Sequence, residues 1–356
     1  MGTGLISSLL KNEGNQVYVT SRQQKTDTDR VHYIRGNAKD LSFIKSLLTY
    51  DNTWDAIVDF MIYTEHEFSE RIEMLLSSTT QYVFLSSARV YADSKKAITE
   101  DSDRLLDVVH DKDFLNSGNY AIVKAKQENI LFEYPEKKWT IIRPYITYSN
   151  SKLQLGVQEK EEWLYRVLHN RSIVFSEDLK DKKTTVTFGD DVSRAIAALI
   201  GCPQALGEIY NISSFTSATW GEILDCYVHC LKTAGISVKV HYVDTVSKIT
   251  DNKYKYLYDR LLNRTFSTKK LQDTAASVSF VPYNEGLLAC LNQFLSTKQF
   301  REIDWGRQAM LDRISRERVA WNEIVDLRDK VKYFLIRYLL TESQYEKLHN
   351  TFRLHR

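Results

Sequence analysis

Cysteine is scarce in this chain of 356 residues: Cys202, Cys226, Cys230 and Cys290 are the full set, too few and too scattered for a disulfide framework. Cys226 and Cys230 lie four apart in a helical pattern with His229 between them. A zinc site needs more ligands than that, so the pair reads as core thiols. No apolar run reaches the roughly 18 residues of a membrane-spanning helix, and no basic, apolar, small-residue order opens the sequence. A cytoplasmic protein is expected, with no membrane partner. An excess of either charge is lacking as well. Lys and Arg number 48 against 46 Asp and Glu, a net charge of +2, which makes a nucleic-acid partner unlikely, since such binders carry a strongly basic face. Internal repeats and low-complexity linkers are missing. What remains, 43% hydrophobic and 26% charged, is ordinary globular composition, in a chain long enough for one large domain or two smaller ones.

Short apolar runs alternate with helical patterns through the first half, the signature of a parallel α/β sheet. Strands are expected at 17–19, 31–34, 56–58, 82–85 and 139–142, with helices at 41–48, near 68–76 and from Tyr120 onward. Leu5, Ile6, Leu9 and Leu10 make a helical face that ends at Gly14, in the position favoured just past a helix. Beyond Pro144 the pattern loosens. Helices are expected at 159–169, 190–200 and 219–233, strands at 172–175, 184–188 and 208–212, and a mostly helical stretch over 297–356. Such a sheet opens with an apolar strand before its glycine turn, whereas this chain starts inside the turn. The absent strand would lie at mid-sheet, so its loss would open two ladder edges; the expectation is a truncated chain or a start assigned too late.

The residues that carry chemistry fall along that frame. Gly2-Thr3-Gly4-Leu5-Ile6-Ser7 precedes an amphipathic helix, where backbone N–H groups and the helix N-terminus suit a pyrophosphate. The second strand ends in Thr20-Ser21-Arg22. Donors and a positive charge there suit a 2′-phosphate and incline the cofactor from NAD towards NADP, although Arg22 also reads as an ordinary exposed arginine. The strongest constellation is Ser86-Ser87-Ala88-Arg89 followed by Tyr120-Ala121-Ile122-Val123-Lys124. Tyr120 and Lys124 share one helix face. An ammonium beside a phenol lowers the phenol's pKa, so Tyr120 can shuttle a proton while hydride moves to or from nicotinamide. Ser87 would hold the substrate oxygen.

In this pattern the chain resembles the extended or atypical short-chain dehydrogenases/reductases of the NAD-dependent epimerase/dehydratase family, from Gly2 to about Leu295. The resemblance implies a Rossmann-type doubly wound parallel sheet with its first strand missing, a smaller C-terminal substrate lobe and a helical tail. The dinucleotide-binding domain would span 1–150, completed by 184–212. The lobe would take 151–183 and 213–296, and the extension 297–356. Against the family's glycine fingerprint, Met1, Gly4 and Ser7 stand at the three glycines and Gly2 matches an extra one. Gly36-Asn37-Ala38-Lys39-Asp40 is similar to the adenine-side stretch, with Asn37 keeping a carbonyl acceptor. Arg143-Pro144 with Tyr148, Thr184–Asp191 and Gly207–Ile212 follow in family order. The resemblance implies cofactor contacts from Gly2, Gly4, Leu5, Ile6, Arg22, Asn37, Asp59, Ser86 and Lys124, catalysis by Ser87, Tyr120 and Lys124, and substrate contacts from Arg89, Lys183 and Arg264, with no metal.

It further implies a nucleotide-sugar substrate, polysaccharide biosynthesis as setting, and a homodimer through helices flanking the site, including the Tyr120 helix. Epimerisation and keto-sugar reduction stay open. Ala88-Arg89 occupy the place of a dehydratase's Asp-Glu pair, so dehydration is least favoured. Asp59-Phe60-Met61-Ile62-Tyr63 replaces the family's small-residue segment beside the cofactor and is closer to the atypical branch. The alternative is therefore a catalytically weak member that senses dinucleotide or binds RNA. The run Val331–Leu340 is expected to pack on the chain's own lobe rather than on a membrane or a partner.

Overall fold

A computed structural model of the chain describes residues 1–49 and 54–340. The fold divides into two compact units: residues 1–147, 185–217 and 264–283 form the first, and 148–184, 218–263 and 284 onward the second.

The first unit is built on parallel strands. Strands β1 (Val17–Ser21) and β2 (Val31–Arg35) pair with each other. Strands β3 (Trp54–Asp59), β4 (Thr79–Leu85) and β5 (Trp139–Pro144) line up with Glu208–Ile212 in the order Glu208–Ile212, β5, β4, β3, all parallel. Both faces of β4 are buried, which suits its run Tyr82-Val83-Phe84-Leu85. The polar Gln81 survives there because its amide donates to Thr140 Oγ1 (2.9 Å) and the Leu199 carbonyl (3.0 Å) and accepts from Gly201 N (2.8 Å). Helices α1 (Gly2–Leu9), α2 (Leu41–Leu48), α3 (Glu65–Ser77), the short α4 (Leu105–Val108) and α5 (Lys112–Asn116), and α6 (Tyr120–Phe132) connect and cover the strands. Thr64 and Glu67 form a capping box at α3. One apolar layer joins Leu5 to Val83, Ile142, Val192 and Ile196; on another, Phe68, Ile72 and Leu75 pack on Tyr82, Phe84 and Ile141.

Among the described residues no strand lies between β1 and β3. Each of these two strands is paired along one edge only, and both are largely half-buried where central strands would be enclosed. Tyr18 and Trp54 meet edge-on at 5.0 Å between ring centroids.

The second unit stacks Trp163 on Tyr227 (4.6 Å) and pairs Ile173–Ser176 in parallel with Val240–Val243. Its helix Trp305–Ser315 is locked by a buried ion cluster. Asp312 accepts from Arg166 Nη1 (2.5 Å), Arg171 Nη1 (3.0 Å) and the Tyr333 hydroxyl (2.6 Å). The tail helix Leu327–Phe334 buries Tyr333, and Ile336 follows in its π-helical continuation Leu335–Leu339. The expectation that this run packs on its own lobe thus holds for one face. The helix expected beyond Leu340 lies outside the described residues. No helix among the described residues is long and apolar enough to cross a membrane.

Candidate active site

Strand β4 delivers Ser86 and Ser87 at its carboxyl end, the end where open α/β sheets bind ligands. Ser86 Oγ donates to Glu128 Oε1 (2.5 Å) and is buried, so its side chain anchors the strand end. Ser87 caps a short 3-10 turn, its Oγ accepting from Arg89 N at 3.2 Å. That leaves the Ser87 hydroxyl proton available.

Helix α6 begins at Tyr120 because Asn119 caps it, its Oδ1 accepting from Ala121 N at 3.0 Å. Tyr120 is 36% exposed and Lys124, one turn on, only 2%. The ammonium lies 4.4 Å from the Phe84 ring centroid and 5.9 Å from that of Tyr120. Burial pushes Lys124 down to about 8, with Asp59 and Glu128 opposing. The Tyr120 phenol is raised by burial, and the group that opposes this is Arg89, whose guanidinium stands 5.9 Å from the ring centroid. Lys124 and Arg89 thus stand at the same distance from the Tyr120 ring, and neither cancels the upward push of burial.

Beneath these groups runs a buried network that sequence reasoning missed. Glu128 accepts from Arg143 Nε (2.8 Å) and Nη2 (2.7 Å) as well as from Ser86, and from Arg104 Nη1 at 3.3 Å. Arg143 Nη1 donates to the Tyr91 hydroxyl (2.7 Å), which donates to Asn211 Oδ1 (2.7 Å). The signal was legible: Glu128 follows Tyr120 and Lys124 at successive four-residue steps on one helix face. Asp59 is buried at the end of β3, accepting from Met61 N (2.8 Å) and the Tyr82 hydroxyl (2.9 Å), and burial raises its carboxyl.

The other residues expected to make contacts take the following places. Gly2, Gly4, Leu5 and Ile6 belong to α1 itself and not to a turn before it. Leu5 is in the core, and a Cβ on Gly4 would come within 2.5 Å of Asp190 Oδ1 and 2.9 Å of Ser193 Oγ. Gly4 thus permits close helix packing. The start of α1 has no side-chain cap, so its first-turn N–H groups remain suited to an anion. Arg22 and Asn37 are exposed. Ser21 Oγ is turned to the Gln23 carbonyl (2.8 Å), while Gly36 is required by Phe43, whose ring a Cβ would meet at 2.2 Å. Arg264 has no exposed surface and donates to the carbonyls of Ala92 (2.8 Å) and Tyr91 (3.0 Å), so it ties down the loop after Ser87. Lys183 is exposed, in the second unit, its backbone N–H donating to Asn263 Oδ1 at 2.9 Å.

The fold has many solved counterparts. A dTDP-glucose 4,6-dehydratase from Bacillus anthracis in complex with NAD matches with TM-score 0.62 at 14% identity, over 83% of this chain and 94% of that one. A UDP-glucuronic acid 4-epimerase from Bacillus cereus, in complex with UDP-glucuronic acid and NAD, matches at 0.60 and 16%, over 82% and 96%. An epimerase from Methanothermobacter thermautotrophicus matches at 0.58 and 15%, over 83% and 89%. No protein-family model and no curated protein matches the sequence. The fold is the Rossmann-type α/β architecture of the epimerase/dehydratase structures, as the sequence resemblance implied.

Proposed function

We propose that this chain is a nicotinamide-dinucleotide-dependent enzyme acting on a nucleotide-activated sugar, as an epimerase or keto-sugar reductase, with Ser87, Tyr120 and Lys124 as its catalytic residues. The observation that carries this reading is the stack at the carboxyl end of β4: a half-exposed Tyr120, a buried Lys124 beneath it, and the Ser87 hydroxyl at the strand end. Tyr120 would exchange the proton of a substrate hydroxyl, helped by the Arg89 charge. Ser87 would donate to the substrate oxygen, and the Lys124 ammonium, with donors to spare, would fit ribose hydroxyls. The free N–H groups at the start of α1 fit a pyrophosphate. A bound dinucleotide would supply the two-electron acceptor that none of these side chains can. The dehydratase and the UDP-glucuronic acid 4-epimerase named above are complexes with NAD, and nothing further supports the lean to NADP. Exposed Arg22 and Asn37 stay candidates for the adenosine end, and Lys183 for the substrate.

A second reading, a weak catalyst that senses dinucleotide or binds RNA, draws support from Gly4 and Leu5 being committed to packing. The test is to titrate the protein with NAD(H) and NADP(H) by fluorescence and to assay UDP- and dTDP-sugars, with Tyr120→Phe as control. Turnover lost by about 10²–10⁴ in the variant, at unchanged dinucleotide affinity, is expected. Dinucleotide or RNA binding without turnover on any sugar would select the second reading.

A further inference from the structure

The bulky segment Asp59–Tyr63 is fastened to the helix that carries Lys124. Asp59 ends β3 and is the register partner of Phe84 on β4, so the two side chains share a face of the sheet. Tyr82, two residues before Phe84, lies on that face too, and its hydroxyl donates to Asp59 Oδ2 at 2.9 Å. Lys124 comes onto the same face from α6, its ammonium 4.4 Å from the Phe84 ring centroid. Three residues on, Gln127 Nε2 donates to the carbonyls of Tyr63 (2.8 Å) and Thr64 (3.2 Å), which ties the loop after Asp59 to α6. Asp59 is 8% exposed and Lys124 2%. Two opposite charges thus sit out of water on one face of the sheet.

We propose that Asp59 is a positioning residue, the counter-charge that seats the Lys124 ammonium for its part in the chemistry of Ser87 and Tyr120, an inference that rests on the function proposed above. A buried ammonium needs an opposite charge. The other carboxylate that acts on Lys124, Glu128, is committed to Arg143 (2.7 Å) and Arg104 (3.3 Å). Asp59 is held by donors that carry no charge, Met61 N–H (2.8 Å) and the Tyr82 hydroxyl, with the Tyr63 phenol beside them. These donors and Lys124 favour the carboxylate against burial, which raises it. Arg71 of α3 sits over the Tyr63 ring at 4.2 Å and gives its Nη groups to the carbonyls of Glu67 and Lys39. Arg89 faces the Tyr120 ring. That leaves Lys124 as the cation for Asp59, and each acts on the charge of the other.

The experiment titrates the lysine Cε signals of the isotope-labelled full chain by nuclear magnetic resonance, the Lys124 signal being the one absent from Lys124→Arg. The wild-type midpoint is expected at about 8. Asp59→Asn keeps the shape and both hydrogen bonds, since its oxygen can accept from Met61 N–H and its amide can donate to the Tyr82 hydroxyl. The midpoint should then fall by about one pH unit or more. The alkaline limb of kcat/KM should move with it, so that turnover drops about fivefold at pH 8 and little at pH 6. Asp59→Ser reads the same change if the asparagine variant does not fold. A Lys124 midpoint within about 0.3 of the wild-type value in a folded variant, or a loss of turnover by one factor at every pH, would overturn the proposal. The titration needs no substrate. A lowered midpoint in a protein that turns over no sugar would therefore uphold the pairing and overturn the proposed function alone.

Discussion

Replacing Glu128 by Gln tests whether the buried network behind the active site is an electrostatic support. The side chain keeps its size, but its charge goes, and one acceptor becomes a donor facing arginines. Arg143, 2% exposed, would lose its ionic, bidentate partner and keep one glutamine oxygen, the Tyr91 hydroxyl and the Glu100 carbonyl. Breaking a buried ion pair by removing one member costs about 3–5 kcal/mol, because the other charge is left uncompensated. For a unit of this size the thermal midpoint should fall by on the order of 10 °C. Turnover should fall too, since Ser86 and Arg143 then compete for the one acceptor oxygen left at the end of β4. The assay is a thermal and urea melt of the wild type, Glu128→Gln, Arg143→Leu and the double variant. If the charge pair is the cause, the double variant recovers part of the loss, with a coupling of about 2 kcal/mol or more. Additive losses, or a Glu128→Gln melt within about 1 kcal/mol of wild type, would refute the reasoning.

The depressed Lys124 makes a prediction with a definite sign. Its value of about 8 in the fold lies below the ordinary 10.5, so the unfolded chain binds more protons between those pH values and stability rises across that window. Lys124→Met should therefore abolish activity yet stabilise the fold at pH 7 by up to about 3 kcal/mol, a gain that vanishes between pH 8 and 10.5 in urea melts. Gly36→Ala should destabilise by about 1–3 kcal/mol, read by thermal melting, because the Phe43 ring has to move. Asp312→Asn strips two buried arginines and Tyr333 of their shared acceptor. A loss of about 3–5 kcal/mol is expected, seen as early proteolysis of the tail at an otherwise intact first unit.

Patterns local in the chain were legible from the sequence. Strand-length apolar runs separated by helical periods define the sheet, since side-chain period and burial are properties of a few consecutive residues. The order Ser86-Ser87, then Tyr120 and Lys124, is local in the same way. What the sequence left undetermined depends on which distant residues meet. That Gly4 lets Asp190 and Ser193 approach α1, and that Arg264 donates to the carbonyls of Tyr91 and Ala92, could not be read from the local pattern. Glu128 gained its importance only when Arg143 arrived from β5 and Ser86 from β4. The upward push on Tyr120 and the arrival of Arg89 beside it were undetermined for the same reason: a pKa depends on how deeply each charge is buried and on what lies within a few ångströms, and packing between elements far apart in the chain decides both.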